Sequence, residues 1–250
     1  MNEHKKIDNV LTLIKTLDEE SRQYLECYMA NAPMWILNSF QILELEKETI
    51  FIREKSPVDI VYILVEGMVK AVDYCADGVN FEYMWFKPVK LFGTMEILLD
   101  IDTYKTTLET VTPCRMMTIS KNIFERWIKN DVNALWIESK TMGTYLLKQA
   151  RFAREFLFMN GRHRIMTFMI FVHLDLFEGS ECPLNITRQQ IADCSGLSVK
   201  TVNRVIQELS DENYICKRGN KLVITREQYE DMKKEITANW NGFTDWERLL

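Results

Sequence analysis

The sequence has no glycine-rich phosphate loop and no HExxH pair, and its three histidines (His4, His163, His173) form no plausible catalytic triad. Those absences argue against an enzyme. Six cysteines, at 27, 75, 114, 182, 194 and 216, are scattered without a CxxC pair. Their spacing matches neither a disulfide framework nor a zinc site, so reduced thiols and no metal are expected. The opening "MNEHKKIDNV" lacks an apolar signal core. No run approaches the roughly 20 apolar residues of a membrane span, so the expected location is cytoplasmic, with no membrane partner. Excess positive charge is missing too: the net charge is −5. The chain as a whole therefore does not attract nucleic acid, and only local patches could.

What is present is the material of a folded protein, 47% hydrophobic and 27% charged over 250 residues, enough for two domains. Residues 7–30 read as two helices, the second starting at Asp18. From Gln41 the period becomes that of strands. "ETIFIREKS" is one, and "DIVYILVEGMVKAVDYCADGVNFEYMWF" holds three, punctuated at Glu66-Gly67 and Asp77-Gly78. "TTLETVT" and "RMMTISK" add two more, which predicts an antiparallel roll or barrel. From Asp131 to Met159 there is no proline and one glycine, so a helix of about 29 residues, roughly 43 Å long, is expected. Val132, Leu135, Ser139, Met142, Leu146, Gln149, Ala153 and Phe156 alternate by three and four, the seam of a coiled coil. Leu135, Met142, Leu146, Gln149, Ala153 and Phe156 are the expected dimer contacts, although a helix of this length could also lie across its own domain. Asn160-Gly161 breaks the pattern as a hinge, and a largely buried helix then runs to Gly179.

Next comes "ITRQQIADCSGLSVKTVNRVIQEL". Thr187 and Gln190 form a capping box, fixing a helix start at Arg188. Ala192 is small where two helices cross, Gly196 supplies a left-handed corner, Leu197 plugs it and Ser198 caps a second helix. Val202, Val205, Ile206 and Leu209 should face the core, leaving Val199, Lys200, Asn203 and Arg204 outside. This is the helix-turn-helix pattern, and "NYICKRGNKLVIT" follows as strand, basic turn and strand, a wing. A helix pair with a glycine corner also occurs in proteins that never touch DNA. Local charge favours the DNA reading. Residues 186–221 hold six Lys/Arg against four Asp/Glu, concentrated on the exposed helix face and wing turn. The expected DNA contacts are Arg188, Gln189, Ser198, Val199, Lys200, Asn203, Arg204, Lys217, Arg218 and Lys221.

In order and motif the chain resembles the Crp–Fnr superfamily of bacterial transcription regulators, through "VYILVEGMVKAVDYCADGVNFEYMWF", "FLFMNGRHRIMTFM" and "ITRQQIADCSGLSVKTVNRVIQEL". The resemblance implies an α+β chain in four parts. An N-terminal jelly-roll β-roll of cyclic-nucleotide-binding type would occupy 1–130 and a dimerisation helix with hinge 131–160. A winged helix-turn-helix would occupy 161–225, and 226–250 would be a helical extension of undecided role. It also implies a homodimer on a two-fold symmetric operator, with half-sites about one helical turn apart. RNA polymerase is an expected partner, and activation is favoured over repression. Family members commonly carry Arg-Glu where this chain has Val199-Lys200, while Arg204 matches a guanine-reading arginine. The operator should therefore depart from the family's common half-site.

The effector is less defined. In cyclic-nucleotide-binding members a Gly-Glu pair and an Arg-Ser pair hold ribose and phosphate. This chain keeps Gly93 but has Thr94, Tyr104 and Lys105 at the other positions, and Leu147-Lys148 where those members have Thr-Ser. Without the arginine clamp cyclic AMP is disfavoured. Cys27 is the only cysteine in the first 74 residues, which disfavours an iron–sulfur cluster. No histidine falls in the roll or long helix as a haem ligand. The aromatics Phe81, Tyr83, Trp85, Phe86, Phe92 and Tyr104 read mainly as roll core. The other reading is an apolar pocket with Tyr104, Lys105 and Lys148 at its mouth, taking a small aromatic or acidic metabolite. Tyr83, Trp85, Phe92, Gly93, Thr94, Tyr104, Lys105, Leu147, Lys148 and Arg151 are the candidate effector residues. A cyclic-nucleotide-responsive regulator, an effector-independent one and a cyclic-nucleotide module that binds no DNA remain the alternatives.

Overall fold

The computed structural model describes residues 3–74, 80–173, 181–184, 186–219 and 221–239. Contacts divide the chain into two compact units, Met1–Tyr145 and Leu146–Leu249. The division falls inside the long helix, not at the expected boundaries after 130 and 160.

The first unit begins with helices α1 (Glu3–Thr16), α2 (Glu19–Tyr28) and α3 (Met34–Leu37). Asp18 starts α2 as expected, its carboxylate accepting from the Ser21 amide at 3.0 Å. Strands β1 (Gln41–Leu45), β2 (Ile50–Ile52), β3 (Ile60–Glu66), β4 (Val69–Tyr74), β5 (Asn80–Phe86) and β6 (Lys90–Phe92) follow, then helix α4 (Thr94–Leu98). Strands β7 (Thr107–Thr110) and β8 (Cys114–Ser120) and helix α5 (Lys121–Ile128) complete the roll and lead into α6 (Val132–Phe158). Two antiparallel four-stranded sheets result, in the orders β1-β8-β3-β6 and β2-β7-β4-β5. The β3–β4 turn bends at Gly67, whose φ of 93° and close approach to the Pro113 carbonyl leave no room for a side chain. The expected Asp77-Gly78 turn between β4 and β5 lies outside the described residues.

The roll's base is an aromatic cluster around Trp127, which meets Tyr28, Phe40 and Phe124 edge-on at 5.5, 6.3 and 5.8 Å between centroids. Its indole donates to buried Asp131 at 2.8 Å, and the other oxygen of that carboxylate accepts from the Ala134 amide at 3.1 Å. Asp131 thus ties the cluster to the first turn of α6.

The second unit continues α6 into α7 (Gly161–His173), β9 (Glu181–Leu184), α8 (Arg188–Ser195), α9 (Val199–Asp211), β10 (Cys216–Arg218), β11 (Lys221–Thr225) and α10 (Arg226–Asn239). The expected helix end at Gly179 lies outside the described residues. The expected two-stranded wing gains β9 as a third strand, in the order β10-β11-β9. Helix α10, read from sequence as an extension of undecided role, packs on α7 and β11 and buries Tyr229, Met232 and Ile236. It is part of the second unit; residues 240–250 lie outside the described residues.

Glu235 fastens α10 to α7, accepting from Arg162 at 3.1 Å and facing the His163 imidazole at 3.3 Å. Burial pushes this carboxyl up, but hydrogen bonds from Arg162 and Tyr214 more than offset it, leaving it below its ordinary value. Such a group adds stability above the ordinary carboxylate range, and that stability is lost as pH falls through the lowered value. Acid unfolding followed by circular dichroism should show this loss, and Glu235→Gln should remove that part of the pH dependence.

Candidate functional site

The helix pair is built by local rules. Thr187 Oγ1 accepts from the Gln190 amide at 3.1 Å, and Gln190 Oε1 accepts from the Thr187 amide at 2.7 Å, closing the capping box. Gly196 ends α8 at φ 66°, and Ser198 caps α9 by accepting from the Thr201 amide at 3.2 Å. Ile191, Ala192, Val202, Val205, Ile206 and Leu209 are all buried. Gly161 opens α7 directly beneath Leu197, whose Cδ1 would stand 3.1 Å from any added Cβ. Arg164, not singled out from the sequence, holds this corner together. It donates to the carbonyls of Leu157 and Met159 at the end of α6 and of Ser195 at the end of α8. Thr187→Ala should cost about 1 kcal/mol of stability, measurable by urea unfolding.

The apolar face points inward and the polar face outward. Ser198, Lys200, Asn203 and Arg204 are exposed and Val199 is half-buried. Lys200, Asn203 and Lys221 make no hydrogen bond or ion pair among the described residues, whereas Arg204, Arg218 and Lys217 are held loosely by neighbours. Arg204 pairs with Glu208 at 2.8 Å, Arg218 with Glu181 at 2.6 Å, and Lys217 donates to Gln207. Gln189 donates to Asp193 at 2.7 Å, and Arg188 is half-buried at the start of α8. These exposed pairs are weak and can be exchanged for phosphate or base contacts at little cost.

The roll contains a cavity of about 240 Å³. Phe92, Gly93, Thr94, Tyr104 and Lys105 line it, as the sequence suggested. Trp85 does not; it is buried in the roll, and its indole nitrogen finds no partner. Tyr104 does not stand free at a mouth either. It is buried, its hydroxyl donates to the Ile60 carbonyl, and burial holds the phenol well above its ordinary value. Leu147 and Arg151 are exposed and absent from the lining, Arg151 pairing with Glu155 at 3.0 Å. The side chains of Phe81, Tyr83 and Lys148 lie outside the described residues.

Two charged residues that the sequence reading passed over define the cavity's chemistry. Glu138, on α6, is only 3% exposed, takes a 2.5 Å hydrogen bond from Thr94 on Oε1 and has no partner on Oε2. Burial pushes its carboxyl up. Lys90, on β6, sits over the rings of Phe86 and Tyr145 at 5.5 and 5.4 Å, and burial pushes its ammonium down. Glu138 and Tyr145 lie on the same α6 face as Ala134 and Thr141, at steps of three and four. That periodicity was the signal available in the sequence.

The same periodicity corrects the expected seam. Leu135 packs against the roll's core and Met142 lines the cavity, so neither faces outward. Gln149 and Phe156 are half-buried, Phe156 beneath the Arg164 guanidinium at 5.4 Å. The exposed large side chains of α6 are Val132, Trp136, Leu146, Leu147, Leu157 and Phe158. Ala153 is exposed with them.

Residues 42–131 match the cyclic nucleotide-binding domain family, and residues 150–229 match the Crp-like helix-turn-helix domain family. The cAMP-activated global transcriptional regulator CRP of Pasteurella multocida is 21% identical over 198 residues, 76% of this chain and 92% of that protein. The nitrogen fixation regulation protein FixK of Azorhizobium caulinodans is 26% identical over 184 residues, 67% of this chain and 68% of that protein. Among solved structures, the c-di-GMP responsive global regulator CLP of Xanthomonas campestris shares the fold at a TM-score of 0.58 and 20% identity. That likeness covers 81% of this chain and 98% of CLP. A CRP-family transcriptional regulator from Thermus thermophilus does so at 0.54 and 17%, covering 78% and 96%. With a nucleotide-binding-type roll ahead of a winged helix-turn-helix whose polar face is exposed, the chain belongs to the Crp–Fnr superfamily of DNA-binding transcription regulators.

Proposed function

We propose that the protein acts as a homodimer on an inverted-repeat operator, activating transcription beside RNA polymerase when a small molecule occupies the roll. The observation that carries this reading is the exposed polar face of α9, with Lys200, Asn203 and Arg204 outward over a fully apolar inner face. Arg204 would read guanine by a bidentate contact, Asn203 adenine, and Lys200 guanine or phosphate. Arg188, Gln189, Ser198 and Val199, with Lys217, Arg218 and Lys221 of the wing, would add phosphate and groove contacts.

Dimerisation would use the outward face of α6. Val132, Trp136, Ser139, Gly143, Leu146, Ala150, Ala153 and Leu157 are all exposed and spaced alternately by four and three. This seam keeps Val132, Ser139, Leu146 and Ala153 of the one expected from sequence and moves each alternate position by one residue.

Gating would be a population shift. A ligand held between the roll and α6 must favour the arrangement in which both α9 helices face the DNA, with the change absorbed near Phe158–Gly161. The placement of Glu138 and Met142 of α6 in the cavity wall supports this coupling. Native mass spectrometry of freshly purified protein is the test. A dimer carrying a small organic molecule is expected; a bare monomer at micromolar concentration would contradict the reading.

A further inference from the structure

The cavity's walls are mostly apolar, from Met84, Phe86 and Leu108 among others, and its polar groups are few and specifically placed. Two of them are buried carboxyls. Glu96 accepts from the Lys105 backbone amide at 3.3 Å, so this amide already faces an acid of the protein itself. Glu138 accepts from Thr94 on one oxygen, while the other is buried without a hydrogen-bond partner. The Tyr28 hydroxyl lies beside it, also buried, without forming a hydrogen bond of ordinary geometry. Lys90, half-buried in the lining, is directed at the Phe86 and Tyr145 rings and has no ion pair within 4 Å among the described residues. Lys105 is exposed at the rim.

An anionic ligand entering here would meet two buried acids, with the half-buried Lys90 and the rim Lys105 to answer its charge. A donor entering here would satisfy an acceptor whose isolation is costly. We infer that the cavity takes a small, largely apolar molecule that presents an N–H, of an amine or an amide, to the free oxygen of Glu138, and that it rejects phosphodiesters and carboxylates. The inference rests on the gating reading only in treating the cavity as an effector site. It replaces the acidic metabolite expected from sequence with a donor, and keeps the aromatic one. Its size suits the cavity, which lies below the roughly 300–1,000 Å³ of drug-sized pockets.

The test uses the dialysed full-length protein and three molecules of one shape, 2-phenylethylamine, phenylacetamide and phenylacetate, with cyclic AMP beside them, titrated by calorimetry. The amine and the amide are expected to bind about tenfold or more tighter than phenylacetate, as one charge-assisted hydrogen bond allows. Glu138→Gln keeps an oxygen for Thr94 but turns the free acceptor into a donor, and it should erase the amine's advantage. Lys90→Met, which leaves Glu138 in place, should preserve or strengthen amine binding and stands as the second variant should the first not fold. Phenylacetate or cyclic AMP binding as tightly as the amine would overturn the inference, as would an unchanged order in Glu138→Gln or no binding by any of the four. Binding in the expected order without any change in affinity for DNA would uphold the ligand class and refute the gating reading.

Discussion

Trp136→Glu is expected to weaken self-association by about 30-fold or more, measured by sedimentation equilibrium. Trp136 is 70% exposed on α6, between Val132 and Ser139 of the outward seam. Isolated exposed apolar residues need no explanation, but a row of them along one helix marks an interface. Tryptophans are enriched among residues whose loss costs 2 kcal/mol or more of association, and a charge in their place adds desolvation. DNA affinity should fall with the dimer, because one recognition helix would then bind without its partner. The neighbouring position supplies the contrast. Leu135 packs on the roll's core, so Leu135→Ala should lower stability by about 2 kcal/mol and leave association unchanged. If Leu135 controlled association and Trp136 did not, the seam would be the one first read from sequence.

Arg204→Ala is expected to cost about 1–3 kcal/mol of discrimination between operator and scrambled DNA. The guanidinium is 68% exposed and held by Glu208 four residues on, a pair worth only about 0.3–0.5 kcal/mol. It is free to leave for the edge of guanine. Lys221→Ala should behave differently, weakening all sequences alike and reducing the salt slope by about one. Competition binding with labelled duplexes separates the two. Equal weakening on every sequence by Arg204→Ala would assign it to phosphate and leave base reading to Lys200 and Asn203.

The helix-turn-helix was legible because its signals are local. A capping box, a left-handed glycine and a Ser cap each act within four residues, so Thr187, Gly196 and Ser198 appear where chain chemistry puts them. The inward turn of Leu135 and Met142 was not legible for the opposite reason. Two stripes one residue apart both alternate by three and four, and only packing on the roll decides that Leu135 and Met142 turn inward. The sheet segments β6 and β9, three and four residues long, were too short to show a period. The cavity was half legible. Gly93, Thr94, Tyr104 and Lys105 follow from the resemblance and Phe92 from the run of aromatics, but Glu138 and Lys90 acquire meaning only when α6 lies against β6 and α4. A buried acid within a helix looks in sequence like any solvated one.

Fluorescence anisotropy of the purified protein on a duplex carrying an inverted repeat from beside its own gene measures directly whether it reads DNA by sequence. A scrambled duplex serves as reference, from about 50 to 200 mM salt. Affinity is expected to fall linearly on a log–log plot against salt, with a preference for the repeat over the scramble of at least about 10³-fold. Equal affinity for both duplexes, or no binding at the lowest salt, would contradict that expectation.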